Sequence, residues 1–194
     1  ACDFVQVHDL LFRAIFAFII IDVPTRRVAH VGVTRCPTDR WVTQQLREAT
    51  AWDRAPKYLL LDNDSKFGAE FDALAQHTGI KLVHTAVGAP LMNSICERVI
   101  GSVRRECLDH VIILSEAGMR RLVLEYVRYF NEFRPHQGLG QQLPAVVGQR
   151  TSSPAKTTPA LVSSDTDTVQ RLDHAVVSVP VLGGLHHHYY RLAA

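Results

Sequence analysis

Several familiar signatures are missing from this 194-residue sequence. Its four cysteines, Cys2, Cys36, Cys96 and Cys107, include no C-x-x-C pair, and their spacing offers no zinc knuckle. There is no G-x-G-x-x-G, no Walker-type phosphate loop and no nucleophile elbow, which leaves a generic α/β metabolic enzyme with little support. The chain shows no internal repeat. Its apolar run Ala14–Ile21 is eight residues long, far short of a bilayer span, and reads as a buried strand. Neither sign of charge dominates: the net charge is +2 and the pI about 8.5, too mild to identify a nucleic-acid binder by itself. No signal peptide is in view, so a reducing cytoplasmic compartment is the expectation, with no membrane partner. The chain starts at Ala1 and reads as a piece cropped on its N-terminal side.

What is present is foldable. Hydrophobic residues make up 47% and charged residues 21%, enough for one domain with a real core. Ala1–His8 alternates weakly, Ala14–Asp22 is continuously apolar, and Val28–Thr34 is rich in Val, which predicts three strands joined by short turns. The period then changes. Thr38 is placed to cap a helix running to about Thr50. Tyr58–Leu61 reads as a short buried strand, Ala69–Thr78 as a helix with Gly79 just past its end, and Lys81–Val87 as a further strand. Gly88-Ala89-Pro90 reads as a loop. Helices are expected from about Asn93 to His110 and from Ser115 to Asn131, the second stopped by Arg134-Pro135. The order predicts an α/β fold in which an antiparallel meander is extended by strand–helix–strand crossovers, as in the ribonuclease-H-like mixed sheet. Residues 1–144 are expected to form this core. Residues 145–194 read as linker and tail: Thr151–Thr168 is rich in Ser, Thr, Pro and Asp, and Ala175–Leu182 is an edge strand because it contains Pro180. His186-His187-His188 is expected to be a solvated tail rather than a metal cluster.

Three carboxylates stand out. Asp62 ends the apolar strand Tyr58–Leu61 and opens a polar turn, the place where ligand sites gather in α/β sheets. Glu97 shares a helix face with Gly101 and Arg104, flanked by Arg98 and Arg105, while Val99, Ile100, Val103 and Cys107 take the other side. Asp3 lies in the first strand, where a carboxylate among apolar neighbours needs compensation. Asp22 is its rival and is read as capping the turn after the second strand. Alone, Asp62 could simply open a turn and Glu97 could join a surface ion pair.

Together the three are spaced by 58 and 34 residues. Around the second acid the chain reads Asp62-Asn63-Asp64-Ser65-Lys66-Phe67, and around the third Pro90-Leu91-Met92-Asn93-Ser94-Ile95-Cys96-Glu97-Arg98, followed by Arg105-Glu106-Cys107-Leu108. Farther on stands Tyr129-Phe130-Asn131-Glu132-Phe133-Arg134-Pro135-His136-Gln137-Gly138-Leu139. This set resembles the D-D-E signature and R-P-H tail of the integrase catalytic core family, in its bacterial insertion-sequence transposase branch, over roughly residues 1–145. Asp64 stands where the family usually has Gly, and could be a fourth carboxylate or point to solvent. The second interval is one residue shorter than the commonest in the branch.

The resemblance implies metal-dependent DNA strand cleavage followed by strand transfer. It implies two magnesium or manganese ions held by Asp3, Asp62 and Glu97, and no small-molecule cofactor. DNA ends and target DNA would be the partners, and self-association is expected. Lys66, Arg98, Arg104 and Arg105 would position phosphates. Relatives carry a DNA-recognising region upstream, so a cropped first strand is expected to hold Asp3 loosely. Two alternatives use the same residues: a nuclease of the same fold that only hydrolyses, and an inactive mobile-element remnant acting at most as a DNA-binding module.

Overall fold

A strand that is apolar on both faces must lie between two layers, and the second strand does. The computed structural model describes residues 1–51, 55–85, 93–151 and 176–191. Strands β1 (Cys2–His8), β2 (Ala14–Ile21) and β3 (Val28–Thr34) form the antiparallel meander in the order β1-β2-β3. Alternate side chains of β2 enter different cores: Ile15, Ala17, Ile19 and Ile21 on one face, Phe18 and Ile20 on the other. Asp3 lies opposite Ile19 in a β1–β2 register unbroken from Cys2 to His8, so it is held in the ladder rather than loosely as expected.

Helix α1 (Asp39–Ala49) starts at Thr38, whose hydroxyl accepts the Trp41 amide as predicted. Strand β4 (Tyr58–Leu61), helix α2 (Ala69–His77) and strand β5 (Lys81–His84) follow, and β4 and β5 pair in parallel across the α2 crossover. Gly79, at φ 73, takes the left-handed position just past α2. Next come α3 (Ser94–Glu106), a 3-10 turn (Leu108–His110) and α4 (Glu116–Glu132), capped by the Ser115 hydroxyl accepting the Gly118 amide. Helices α3 and α4 cover one face of the meander through Val99, Val103, Met119, Val123, Tyr126 and Phe130. Helices α1 and α2 cover the other through Val42, Leu46, Phe71 and Ala75. Strand β4 lies beside β1, with Leu59 and Leu61 in that second core. Among the described residues the β4–β5 ladder is separate from the β1–β3 ladder.

The C-terminal expectations need correction. Helix α5 (Pro144–Thr151) occupies the start of the supposed linker. Strand β6 (Val176–Val181) stands at an edge, as Pro180 led one to expect, and pairs with an unexpected strand β7 (His186–Arg191) in an antiparallel hairpin. The three histidines are therefore strand residues, not a solvated tail. His186 stacks on Tyr129 with centroids 4.8 Å apart, and its Nε2 lies 2.6 Å from the Glu106 carbonyl. His188 stacks on Phe133 at 4.0 Å, and the Leu182 amide donates to Glu125. Aromatic stacking on α4 holds the hairpin where its polar composition suggested solvent. The loop at 88–90, the end of the expected strand at 86–87, the Pro90-Leu91-Met92 portion of the third motif and most of the Ser/Thr/Pro-rich stretch (152–168) lie outside the described residues.

Asn131, in the tail motif, is buried and structural. Its Oδ1 accepts the Val28 amide at 2.9 Å and its Nδ2 donates to the Val28 carbonyl at 3.0 Å, tying the end of α4 to the start of β3. Asn131→Ala leaves both backbone groups unpaired and is expected to cost about 2 kcal/mol. In urea unfolding the midpoint should fall with an unchanged slope; an unchanged midpoint would show that water replaces the amide at no cost.

Candidate active site

Parity along β1 sets the position of the first acid. Asp3 shares the face of Val5 and Val7, which is the face that α3 covers. Asp62 is the first residue beyond β4, beside β1, and Glu97 lies in the first turn of α3. Asp62 and Glu97 both sit near enough to Asp3 for their charges to act on it. Burial first, then the charges of Asp62, Glu97 and Asp64, push the Asp3 carboxyl up to about 6, although the Phe4 amide donates to it at 2.6 Å. Asp62 Oδ1 is buried with no hydrogen-bond partner among the described residues. An orphaned carboxylate oxygen beside two other acids is costly unless a cation or proton offsets it. Among the described residues, no three His, Cys, Asp or Glu side chains close around a single point tightly enough to hold an ion in this conformation.

The neighbouring thiols add nothing to this donor set. Cys96 and Cys2 are buried, and burial, with the acids adding, pushes Cys96 up to about 12 and Cys2 well above its ordinary value. A thiol that stays protonated is a poor ligand. The available donors are hard carboxylate oxygens, the set that suits magnesium or manganese.

Asp39 positions the loop after Asp62, a contact with no local sequence signal. From the first turn of α1, its carboxylate accepts the amides of Gly68, Glu70 and Phe71 at 2.9–3.1 Å and so caps α2 from outside that helix. A Cβ on Gly68 would fall 2.5 Å from that carboxylate. Asn63 Nδ2 donates to the Thr85 carbonyl at 3.1 Å, which fixes the other end of the loop to β5.

The basic residues separate into different settings. Asp64 accepts the Lys66 amide at 3.0 Å and pairs with the Lys66 ammonium, which lies 5.1 Å from the Phe4 ring centroid and 5.5 Å from that of Phe16. Asp64 therefore points neither fully to solvent nor away from the acids. Arg104 reaches β1 and donates to the Gln6 carbonyl at 2.8 Å. Arg98 folds back on its own helix toward Ser94. Asp22 is exposed and its carboxylate accepts the Thr25 hydroxyl, so it serves the β2–β3 turn as expected, through its side chain.

The R-P-H tail meets the acidic residue that ends α3. Arg134 Nε and Nη2 donate to Glu106 at 2.8 and 2.7 Å, and the Tyr126 hydroxyl donates to the same carboxylate at 2.8 Å. His136 is buried, with Nε2 3.1 Å from the Phe130 carbonyl, in keeping with its expected structural role.

Residues 78–144 match the integrase core domain family. That stretch holds Glu97 and the R-P-H tail, and Asp3 and Asp62 lie outside it. An uncharacterized protein of insertion element IS476 from Xanthomonas euvesicatoria is 29% identical over 134 residues, 69% of this chain. The chain spans 39% of that relative's length. The HTLV-2 integrase catalytic core domain, solved in complex with magnesium, superposes with a TM-score of 0.61 at 13% identity over 75% of this chain and 92% of that one. A BIV integrase catalytic core gives 0.57 at 15% identity over 78% and 94%. A simian T-cell lymphotropic virus intasome chain gives 0.65 at 12% identity over 99% and 65%. The fold is the ribonuclease-H-like one of integrase catalytic cores. Among the described residues no helix is long and apolar enough to cross a membrane.

Proposed function

We propose that this chain, an integrase core of insertion-element type by match and by fold, cuts DNA strands and transfers the resulting ends. The observation that carries the reading is the buried Asp62 Oδ1, unpartnered among the described residues, beside an Asp3 whose carboxyl is raised by burial first and then by its acidic neighbours. Residues 1–144 form the catalytic unit in this reading. Asp3, Asp62 and Glu97 would hold two divalent ions, magnesium or manganese, which would supply positive charge to polarise the scissile phosphodiester. Asp3 is fixed for that task by its strand and by the Phe4 amide. Asp62 is fixed by the strand before it and the Asp39-capped loop after it. Glu97 rides on α3. Arg98, Arg104, Arg105 and Lys66 position phosphates on the backbone, with Arg104 and Lys66 nearest the β1 side. The chain supplies no covalent nucleophile: water attacks phosphorus and displaces the 3′-oxygen of the cut strand, and the 3′-hydroxyl so freed attacks a target phosphorus and displaces that strand's 3′-oxygen. DNA ends and target DNA are the proposed partners, and the working form is an oligomer in the cytoplasm.

The test is calorimetric titration of manganese beside nicking and joining of a labelled duplex. Nicking with joining supports a transposase. Nicking alone favours a hydrolase of the same fold, and neither reaction with intact DNA binding favours a remnant.

A pH series adds a sharper readout. Asp3 must lose its proton to bind a cation, so manganese affinity should fall roughly tenfold per unit as the pH drops below about 6. Stability without metal should move the other way. The folded protein holds the Asp3 proton more tightly than the unfolded chain, so this contribution is full below the ordinary value of 3.8 and is lost as the pH rises through about 6. Metal affinity flat between pH 5 and 7 (roughly the span of the shifted titration) would remove Asp3 from the ligand set.

A further inference from the structure

Helix α3 has two flanks of different character. On one, Glu97 acts on Asp3 and Arg104 bonds Gln6 on β1. Arg98, Ser102 and Arg105 lie roughly 80–140° around the helix from Glu97, at 100° per residue. They line a cleft of about 400 Å³, closed by Arg26 from the β2–β3 turn and by Arg134 and His136 from the R-P-H tail.

Charge in this cleft is one-sided. No Asp or Glu lines it among the described residues. Arg134 is neutralised by Glu106 and serves as a wall. His136 is held neutral: burial first, and the charges of Arg134 and Arg26 after it, lower its pKa against the opposing pull of Phe130 and Glu106. That leaves Arg26, Arg98 and Arg105, which have no acidic partner among the described residues. Arg105 lies back over Gly101, where a Cβ would fall 2.8 Å from its guanidinium, so the glycine gives it room to turn along the helix. Arg26 is held at φ 62, a conformation that non-glycine residues adopt rarely. Three guanidiniums converging without a carboxylate repel one another unless an anion lies between them. Their planar donor forks match phosphate oxygens. Among the described residues Ile95, Val99 and Phe130 provide the apolar lining, too little for base stacking, so the cleft suits a sugar–phosphate backbone better than a base.

We infer that this cleft binds the backbone phosphates of a DNA segment separate from the strand at the three acids, so that α3 divides two stretches of DNA. The inference rests on the proposed function and adds Arg26 to the phosphate contacts. It also moves Arg98 and Arg105 to a second strand, away from the acids.

The test is anisotropy of a short labelled duplex in EDTA, where metal at the acids plays no part, at several salt concentrations. The double variant Arg26→Ala/Arg105→Ala should weaken binding at least tenfold at low salt. The slope of log affinity against log salt should shrink by roughly 2, about 0.9 for each lost phosphate contact. Arg26→Lys/Arg105→Lys should recover most of the slope because charge is kept. Arg128→Ala, on exposed α4 surface, should match wild type. A double variant that is folded by circular dichroism and binds with wild-type affinity and slope overturns the inference. So does a polyglutamate peptide that binds wild type but not the double variant while DNA affinity is unmoved, since that assigns the cleft to a protein partner. Manganese-dependent nicking by wild type reads the proposed activity separately. Its absence with a normal salt slope sinks the activity and leaves the cleft. Nicking by wild type, with a double variant whose salt slope is unchanged, sinks the cleft alone.

Discussion

Asp62→Asn should abolish manganese-dependent nicking, with a loss of at least about a thousandfold, or roughly 4 kcal/mol of transition-state stabilisation. The substitution keeps the shape and one oxygen of the side chain and removes its charge. Asp62 is the acid whose Oδ1 is buried without a partner among the described residues, so it has most to gain from a bound cation. The variant should also relieve its neighbour. With one repelling charge gone, Asp3 should titrate below its present value of about 6, nearer the ordinary 3.8. Carbon-detected NMR of the aspartate carboxyls reads that shift without any DNA or metal. Folding stability in EDTA should be unchanged or slightly higher, because a like-charge contact is removed. Persistent nicking by Asp62→Asn would falsify the site; lost nicking with an unmoved Asp3 titration would mean that the two acids do not share it.

Removing the Glu106 carboxylate should produce the largest stability loss among the tests here. Glu106→Ala strips the acceptor from Arg134 and from the hydroxyl of fully buried Tyr126. A fully buried pair broken on one side costs about 3–5 kcal/mol. Both partners here keep about a quarter of their side-chain surface in water, 26% for Glu106 and 28% for Arg134. Solvent screening lowers the expectation to about 2–3 kcal/mol, a melting-point drop of roughly 5–10 °C for a chain of this size. Acid should erase the difference. Burial raises the Glu106 carboxyl, but the hydrogen bonds from Arg134 and Tyr126 outweigh it and hold it below its ordinary 4.5. The pair's contribution is therefore full above 4.5 and lost as the pH falls through the lowered value. Wild type and Glu106→Ala should melt far apart at pH 7 and converge in strong acid. Equal melting points at pH 7 would show that water solvates Arg134 as well as Glu106 does. In a double-mutant cycle with Arg134→Ala, the coupling should exceed about 1 kcal/mol.

Residues of the R-P-H tail illustrate what motif reading misses. The tail resembles a transposase signature as a string, yet Asn131, Arg134 and His136 do structural work here. Asn131 holds β3, Arg134 holds Glu106, and His136 sits under Phe130 with its rings 4.3 Å apart. None of this shows in local periodicity, because the partners lie up to 103 residues away in sequence. The histidine triplet failed for a related reason. A polar run beside glycines reads as solvated, and only the tertiary contact with Tyr129 and Phe133 makes stacking available.

By itself the sequence determined the elements from β1 to α4 and their order, but not α5 or the β6–β7 hairpin. Continuous apolarity marked β2 as the strand between two layers, the Thr38 and Ser115 hydroxyls marked helix starts, and a strand ending in Asp62 marked the loop that carries the second acid. These are local properties, since burial period and capping act within one or two turns of chain. Only the tertiary structure decided which side chains meet. It set Asp3 on the α3 face of β1, and it placed Asp39 of α1 over the start of α2. It also sorted the arginines of α3 between β1 and the cleft beside Arg26. The physical reason is that an uncompensated charge has no local pattern: its partner is chosen by packing, after the hydrophobic layers have closed.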